Sequence, residues 1–244
     1  MPGCPDAAGA AGSGCCGIIG AMHRTRIKIC GLTREADVDA AVEAGADALG
    51  FVLWPRSARA VSIERAAVLA ARMPPFTQPV LLFVNPTPAE VAAAVQAVPH
   101  ALLQFHGDET PAQCEAAARP YLRAARMAPG FDLPAFARQF ATAQALLLDA
   151  HVEGYGGAGK VFDWSLLQDV RDSVPHRLVL SGGLNPANVT DGVRGVRPWA
   201  VDVSSGVERA KGVKGAGLLR SFCDAVRAAD AQLAAAAPER DSRP

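Results

Sequence analysis

The segment RIKIC (26–30) places a thiol, Cys30, at the end of a short period-two alternation, with Lys28 two residues before it on the same strand face. A single buried cysteine is ordinarily a small hydrophobe, so the rest of the chain has to supply a use for it. Other polar side chains stand in the same kind of place. Arg56 and Arg59 follow a hydrophobic run in WPRSAR, Gln104 and His106 close LLQFH, Asp149 closes LLLD, and Asp202, Ser204 and Ser205 close VDVSS. Taken singly, each has a plain explanation as a surface cation, a helix cap or a satisfied buried polar group. Their shared position at the ends of hydrophobic runs is what asks for a chemical reading.

Glycine-rich stretches suggest an anion. HVEGYGGAGKVFDW (151–164) has GxxxxGK spacing from Gly154 to Lys160. Val161, however, stands where a nucleotide-triphosphatase loop needs Ser or Thr for magnesium. Without that chemistry, the glycines can still turn backbone N–H groups toward a phosphate. SGGLNPAN (181–188) and SSGVE (204–208) offer the same opportunity.

The elements that must position these residues repeat in a fixed order. Strands are predicted over 26–30, 48–53, 79–84, 101–105, 121–126, 145–149, 177–181 and 200–204. Helices are predicted over 33–45, 62–73, 87–98, 110–118, 132–141, 163–172, 185–194 and 215–229. Thr33, Ser62, Thr87 and Thr110 are the expected N-caps, with Pro88 and Pro111 in first turns and Gly45 as a stop. Strict alternation implies parallel strands joined by helical crossovers. Eight such units in about 200 residues fit a closed (β/α)8 barrel, the α/β fold known as the TIM barrel. An open doubly wound sheet is the alternative, but the GxGxxG signature is missing after the first strand. In a barrel the strand C-termini converge on one rim, and the loops after strands seven and eight commonly hold phosphate.

Bulk composition narrows the class. The chain has 244 residues, half of them hydrophobic, and 24 basic residues cancel 24 acidic ones. That balance gives no reason to expect a nucleic-acid or membrane-surface partner. No apolar run approaches the roughly 20 residues of a membrane span. Cysteines 4, 15, 16, 30, 114 and 223 form no CxxC pair, which is consistent with reduced thiols in a cytoplasm. Residues 1–24, rich in Gly, Ala and Ser, read as a flexible leader, 25–230 as a single barrel domain, and 231–244 as a flexible tail.

KICGLT (28–33), GFVLWPRSAR (50–59), LLQFHGDE (102–109), LLLDA (146–150), GGAGKVFDW (156–164), LSGGLNPANV (180–189) and DVSSGVE (202–208) occur in one order. Together they closely resemble the phosphoribosylanthranilate isomerase family of tryptophan biosynthesis, over residues 26 to 228. The resemblance implies an isomerase that carries out an Amadori rearrangement of a phosphosugar substrate with no cofactor and no metal. It implies Asp149 as general acid and Cys30 as general base, with Arg59 holding the anthranilate carboxylate. It assigns phosphate binding to Gly157, Gly159, Gly182, Gly183, Ser204, Ser205 and Gly206, with His106 and Asp202 in supporting positions. Trp54 stands where the family commonly has Tyr or Phe, and Ala60 where a larger residue is frequent. No oligomeric partner is evident.

A free cysteine titrates near roughly 8.5 and a free aspartate near roughly 3.9, so this chemistry needs both groups in their minority form at neutral pH. Lys28 is expected to favour the Cys30 thiolate. The expected pH profile is a bell, rising as the thiolate forms and falling as the acid ionises. Valine at position 182 or 206 is expected to weaken phosphate capture while the fold is kept.

Three rival readings use the same residues. A metal-dependent hydrolase would take Cys30, His106, Asp149 and Asp202 as ligands, although no histidine pair stands at ligand spacing; metal analysis separates it. A phosphosugar-binding barrel without catalysis leaves Cys30 and Asp149 idle, and turnover separates it. The related isomerase acting on an aminoimidazole substrate carries an aspartate where Cys30 stands.

Overall fold

Alternation within the hydrophobic runs becomes the inner and outer faces of eight parallel strands. The computed structural model describes residues 24–150, 163–167 and 173–236. The strands are β1 (Arg26–Cys30), β2 (Ala48–Val52), β3 (Gln78–Phe83), β4 (Leu102–Phe105), β5 (Tyr121–Met127), β6 (Ala145–Ala150), β7 (Arg177–Leu180) and β8 (Ala200–Val203). They close in chain order, with β8 pairing back to β1, into the (β/α)8 barrel expected from the alternation.

The crossovers are α1 (Glu35–Glu43), α2 (Ile63–Ala70), α3 (Pro88–Ala97), α4 (Pro111–Glu115), α5 (Leu133–Gln139), α6 (Val189–Val196) and α7 (Ala216–Ala235). Thr87 and Thr110 form full capping boxes with Glu90 and Gln113, and the Ser62 hydroxyl accepts from the Arg65 amide. Thr33 does not cap α1. Its hydroxyl donates to the Gly212 carbonyl at 2.9 Å, and Arg34 takes the N-cap position without a side-chain bond. Of the helix expected over 163–172, Trp164–Leu167 forms a 3-10 turn and the remaining C-terminal part lies outside the described residues.

Two features were not expected. An antiparallel hairpin, β9 (Glu208–Ala210) with β10 (Val213–Lys214), follows β8 and sets Lys214 opposite Glu208. The final helix continues to Ala235, past its anticipated end at 229 and into the segment expected to be a flexible tail. Asp230 on that helix accepts from both the amide and the hydroxyl of Thr25, at 2.8 and 2.7 Å, tying α7 to the start of β1.

Two hydrophobic layers hold the barrel. Outward side chains such as Ile27, Ile29, Phe51, Leu81, Phe105 and Leu146 pack under helix residues including Val38, Leu69, Phe222 and Val226. Val80, Leu122, Ala124, Ala145, Leu147 and Val179 fill the interior. Burying one such aliphatic side chain contributes about 2 kcal/mol, so the frame is set by many small terms. On the inner face of β1 and β8, polar residues Lys28, Cys30 and Asp202 replace the hydrocarbon. Among the described residues, no helix is long and apolar enough to cross a membrane.

Candidate active site

Inward-facing residues at the strand C-termini open onto one cavity of about 230 Å3. It is lined by Cys30, Arg59, His106, Asp149 and Asp202 together with Gly182, Gly183, Ser204 and Ser205. Positions scattered over 176 residues of sequence thus meet at the rim, as the strand-end reading required. Gly206 packs behind this lining, and Gly157 and Gly159 lie outside the described residues.

Cys30 sits at the end of β1 directly across from Gly50 of β2. A Cβ at Gly50 would fall 2.9 Å from the Cys30 sulfur and 3.3 Å from Lys28 Nζ, so the missing side chain is what makes room for both. Lys28 Nζ donates to Asp202 Oδ1 at 2.8 Å, and these side chains are only 5% and 7% exposed. Ser181 Oγ approaches the other Asp202 oxygen at 3.4 Å. Burial alone would lower the Lys28 ammonium, but Asp202 and Cys30 outweigh it and hold it above its ordinary value.

The expectation for Cys30 needs correction. Lys28 and Lys214 do favour the thiolate, but burial is the larger effect and Asp202 adds to it, so the thiol is pushed up. Lys28 cannot act as a free cation because its charge is already matched by Asp202.

Across the barrel, Asp149 stands one residue before the end of β6. Its Oδ1 accepts from the Ala150 amide at 2.9 Å, and its Oδ2 lies 3.1 Å from His106 Nε2. His106 Nδ1 lies 3.0 Å from Gln104 Nε2, an amide donor. Nδ1 therefore accepts, leaving the other ring nitrogen to donate to Asp149. The Gln104 Oε1 atom is buried with no partner among the described residues. Of the four side chains that a metal-site reading would unite, His106 and Asp149 are bonded to each other, whereas Asp202 is held by Lys28 in a separate network.

Arg59 follows β2 and is gripped on one edge. Its Nε and Nη2 donate to Glu208 Oε1 and Oε2 at 2.7 and 2.8 Å. Lys214 Nζ donates to Glu208 Oε1 and to the Ser204 carbonyl, both at 3.0 Å. Burial alone would raise the Glu208 carboxyl, but these two cations hold it below its ordinary value. The sequence pointed to Arg59 but gave no role to Glu208, Lys214 or Gly50. A glycine inside a strand run, read as a site of close approach, was the one available signal for Gly50. Arg56 stays exposed and stacks on Trp54 at 5.6 Å.

The glycines of the two described phosphate-loop candidates also have packing duties. Gly182 has a φ of +81°, and a Cβ there would lie 2.7 Å from the Ala150 nitrogen and 2.8 Å from Asp149 Oδ1. At Gly206 a Cβ would meet the Leu184 carbonyl at 1.9 Å. Valine at either position therefore disturbs Asp149 or the contact between the two loops themselves. The simple expectation of weakened phosphate capture with an intact fold does not hold there.

Comparison with known proteins gives a consistent result. The profile of N-(5'phosphoribosyl)anthranilate (PRA) isomerase matches residues 27–225. The chain is 71% identical over 212 residues to the N-(5'-phosphoribosyl)anthranilate isomerase of Methylibium petroleiphilum, covering 87% of this chain and 98% of that one. It is 69% identical to that of Leptothrix cholodnii, covering 86% and 94%. Among solved structures, the phosphoribosyl anthranilate isomerase of Thermotoga maritima is 39% identical with a TM-score of 0.78, covering 84% and 99%. Another, solved in complex with reduced 1-(o-carboxyphenylamino)-1-deoxyribulose 5-phosphate, is 36% identical with a TM-score of 0.75, again covering 84% and 99%. The barrel, its rim and these matches agree that the chain belongs to the N-(5'-phosphoribosyl)anthranilate isomerase family.

Proposed function

We infer that the barrel rim isomerises N-(5-phospho-β-D-ribosyl)anthranilate to 1-(2-carboxyphenylamino)-1-deoxy-D-ribulose 5-phosphate, with Asp149 as acid and Cys30 as base. The activity follows from the family; the residue roles are our reading. Asp149 donates a proton to the furanose ring oxygen as the C1–O bond opens, leaving a C1=N iminium. The Cys30 thiolate then takes the proton from C2, and the electron pair forms the C1=C2 bond of an enolamine. Tautomerisation to the ketone completes the Amadori rearrangement.

One observation carries this assignment: the thiol and the carboxylate face the same cavity from β1 and β6, with the SGG and SSG segments at its rim. The segments support phosphate binding through Gly182, Gly183, Ser204 and Ser205, with Gly157 and Gly159 as further candidates by resemblance. Arg59 supports recognition of the anthranilate carboxylate. A relative binds the reduced product analogue, and the same ligand class suits this cavity. Burial of free Cys30, Cys114 and Cys223 is consistent with a reducing, cytoplasmic setting.

The direct test is fluorescence-monitored loss of phosphoribosylanthranilate on adding purified protein. Catalytic loss is expected from the wild type. Stoichiometric binding without turnover would instead favour the non-catalytic phosphosugar reading.

A further inference from the structure

We propose that Glu208 is a specificity-determining positioning residue, which aims the Arg59 guanidinium at the substrate carboxylate and links that contact to the phosphate end of the site. The proposal rests on the carboxylate-binding reading of Arg59.

Arg59 lines the cavity, whereas Glu208 and Lys214 are not among its lining residues. Glu208 therefore grips the guanidinium from behind, through Nε and one hydrogen of Nη2. A guanidinium carries N–H groups on all three nitrogens in a rigid plane. With one edge held, the second edge, formed by Nη1 and the other hydrogen of Nη2, remains for a second carboxylate in the same plane. Such parallel pairs are the strong form of carboxylate recognition because they demand both position and orientation.

The stem of Arg59 is fixed too. Gly31, at φ +76°, leaves space that a Cβ would take, 2.5 Å from Arg59 Cδ, and the Arg59 amide donates to Ser57 Oγ at 3.1 Å. A side chain with this many restraints loses little freedom when a ligand arrives.

Charge completes the argument. Arg59 and Lys214 together face one carboxylate, Glu208, so the buried trio keeps one positive charge in excess. A substrate carboxylate neutralises that excess without leaving a second cation stranded. Lys214 also donates to the Ser204 carbonyl at 3.0 Å, so movement of Glu208 is passed to the Ser204–Ser205 segment. The β9–β10 hairpin exists locally to set Glu208 and Lys214 side by side.

The test compares affinities for two probes: the reduced carboxyphenylamino-deoxyribulose phosphate and its phenyl counterpart lacking the carboxylate. The readout is the ratio of their Kd values in wild type, Glu208→Gln, Glu208→Asp and Arg59→Ala. Glu208→Gln should shrink the ratio about tenfold or more, the scale of one charge-assisted hydrogen bond. Affinity for the phenyl probe should change less than about threefold, and Glu208→Asp should give an intermediate ratio. A ratio unchanged in Glu208→Gln but collapsed in Arg59→Ala would overturn the role of Glu208 and leave that of Arg59 intact. A ratio unchanged in Arg59→Ala would overturn the carboxylate reading itself, and this proposal with it. Equal weakening of both probes in Glu208→Gln would reduce Glu208 to a structural support and also overturn the proposal. If Glu208→Gln does not fold, Glu208→Asp carries the test alone, and a wild-type ratio there overturns it.

Discussion

On the β4–β6 side of the barrel mouth, Gln104, His106 and Asp149 form a hydrogen-bonded chain that contains no permanent cation. On the β1–β2–β8 side, Cys30 sits near a Lys28–Asp202 pair and near Arg59 and Lys214, which share the one carboxylate of Glu208 and leave one positive charge in excess. Under the proposed roles of Asp149 and Cys30, the two sides carry different proton duties. An acid that must give up and regain a proton is served by neighbours that can exchange donor and acceptor roles. A buried thiol proposed to become an anion is served by neighbouring cations, Lys28 held above its ordinary value by Asp202 and Lys214 lowered by its own burial. The cost of the second arrangement is visible in Cys30, whose thiol is pushed up by burial despite two lysines nearby.

The sharpest way to break this comparison is to remove one proton carrier from each side. Cys30→Ala and Asp149→Asn should each lower turnover about a thousandfold, within the range for loss of a general acid or base. Both should keep the circular-dichroism spectrum and thermal transition of a folded barrel and still bind the reduced product analogue. Near-normal turnover in Cys30→Ala would return the thiol to a packing role and leave the base unassigned.

Next in size is a stability difference between the two sides. Lys28→Met strands the Asp202 carboxylate in a dry interior and should cost about 3 kcal/mol in chemical denaturation, as expected when one partner of a buried pair is lost. Adding Asp202→Asn to Lys28→Met should recover part of that loss, because the stranded charge is gone. A Lys28→Met variant as stable as wild type would show that water reaches Asp202 and that the pair is not truly buried.

The pH profile separates the same charges by sign. A raised thiol pKa keeps Cys30 protonated through neutral pH in the free enzyme, so the rising limb of kcat/KM should lie above the ordinary thiol range. Lys28→Met removes a cation and should move that limb further up. Asp202→Asn removes an anion and should move it down. Shifts in the same direction for both variants would remove Cys30 as the group behind the limb. Stability follows the same sign: the folded thiol holds its proton more tightly, so rising pH through the unfolded thiol range should erode stability.

Much of this arrangement was legible in the sequence because barrels convert strand ends into a shared rim. Cys30, His106, Asp149 and Asp202 were found by position alone, and Thr87 and Thr110 announced their capping boxes locally. The misses are contacts that no local pattern encodes. Thr33 looks like an N-cap until a carbonyl 179 residues away takes its hydroxyl. Glu208 meets Arg59 across 149 residues, and the hairpin that pairs it with Lys214 is too short to show a strand period. Lys28 was correctly placed beside Cys30, but the matching charge on Asp202 arrives from the neighbouring strand of the closed barrel. That closure decides how much help the lysine can give.

The smallest expected effect probes the chain on the acid side. Gln104 Nε2 donates to His106 Nδ1, which keeps the imidazole hydrogen on the nitrogen facing Asp149. In that state Asp149 accepts, as a carboxylate. When Asp149 carries the proton it must donate to that nitrogen instead, and the hydrogen moves to Nδ1. Nδ1 then needs an acceptor, and a half-turn of the Gln104 amide brings Oε1, which otherwise lacks a partner, into place. Gln104→Leu fills the same space but supports neither state. The expected loss is about 1 kcal/mol, the net worth of one neutral hydrogen bond, or roughly fivefold in kcat with KM unchanged. His106 nitrogen chemical shifts should then show a mixture of tautomers where wild type shows one. A single tautomer in Gln104→Leu, with kcat intact, would mean that Asp149 alone orients the imidazole and that the acid side needs no third member.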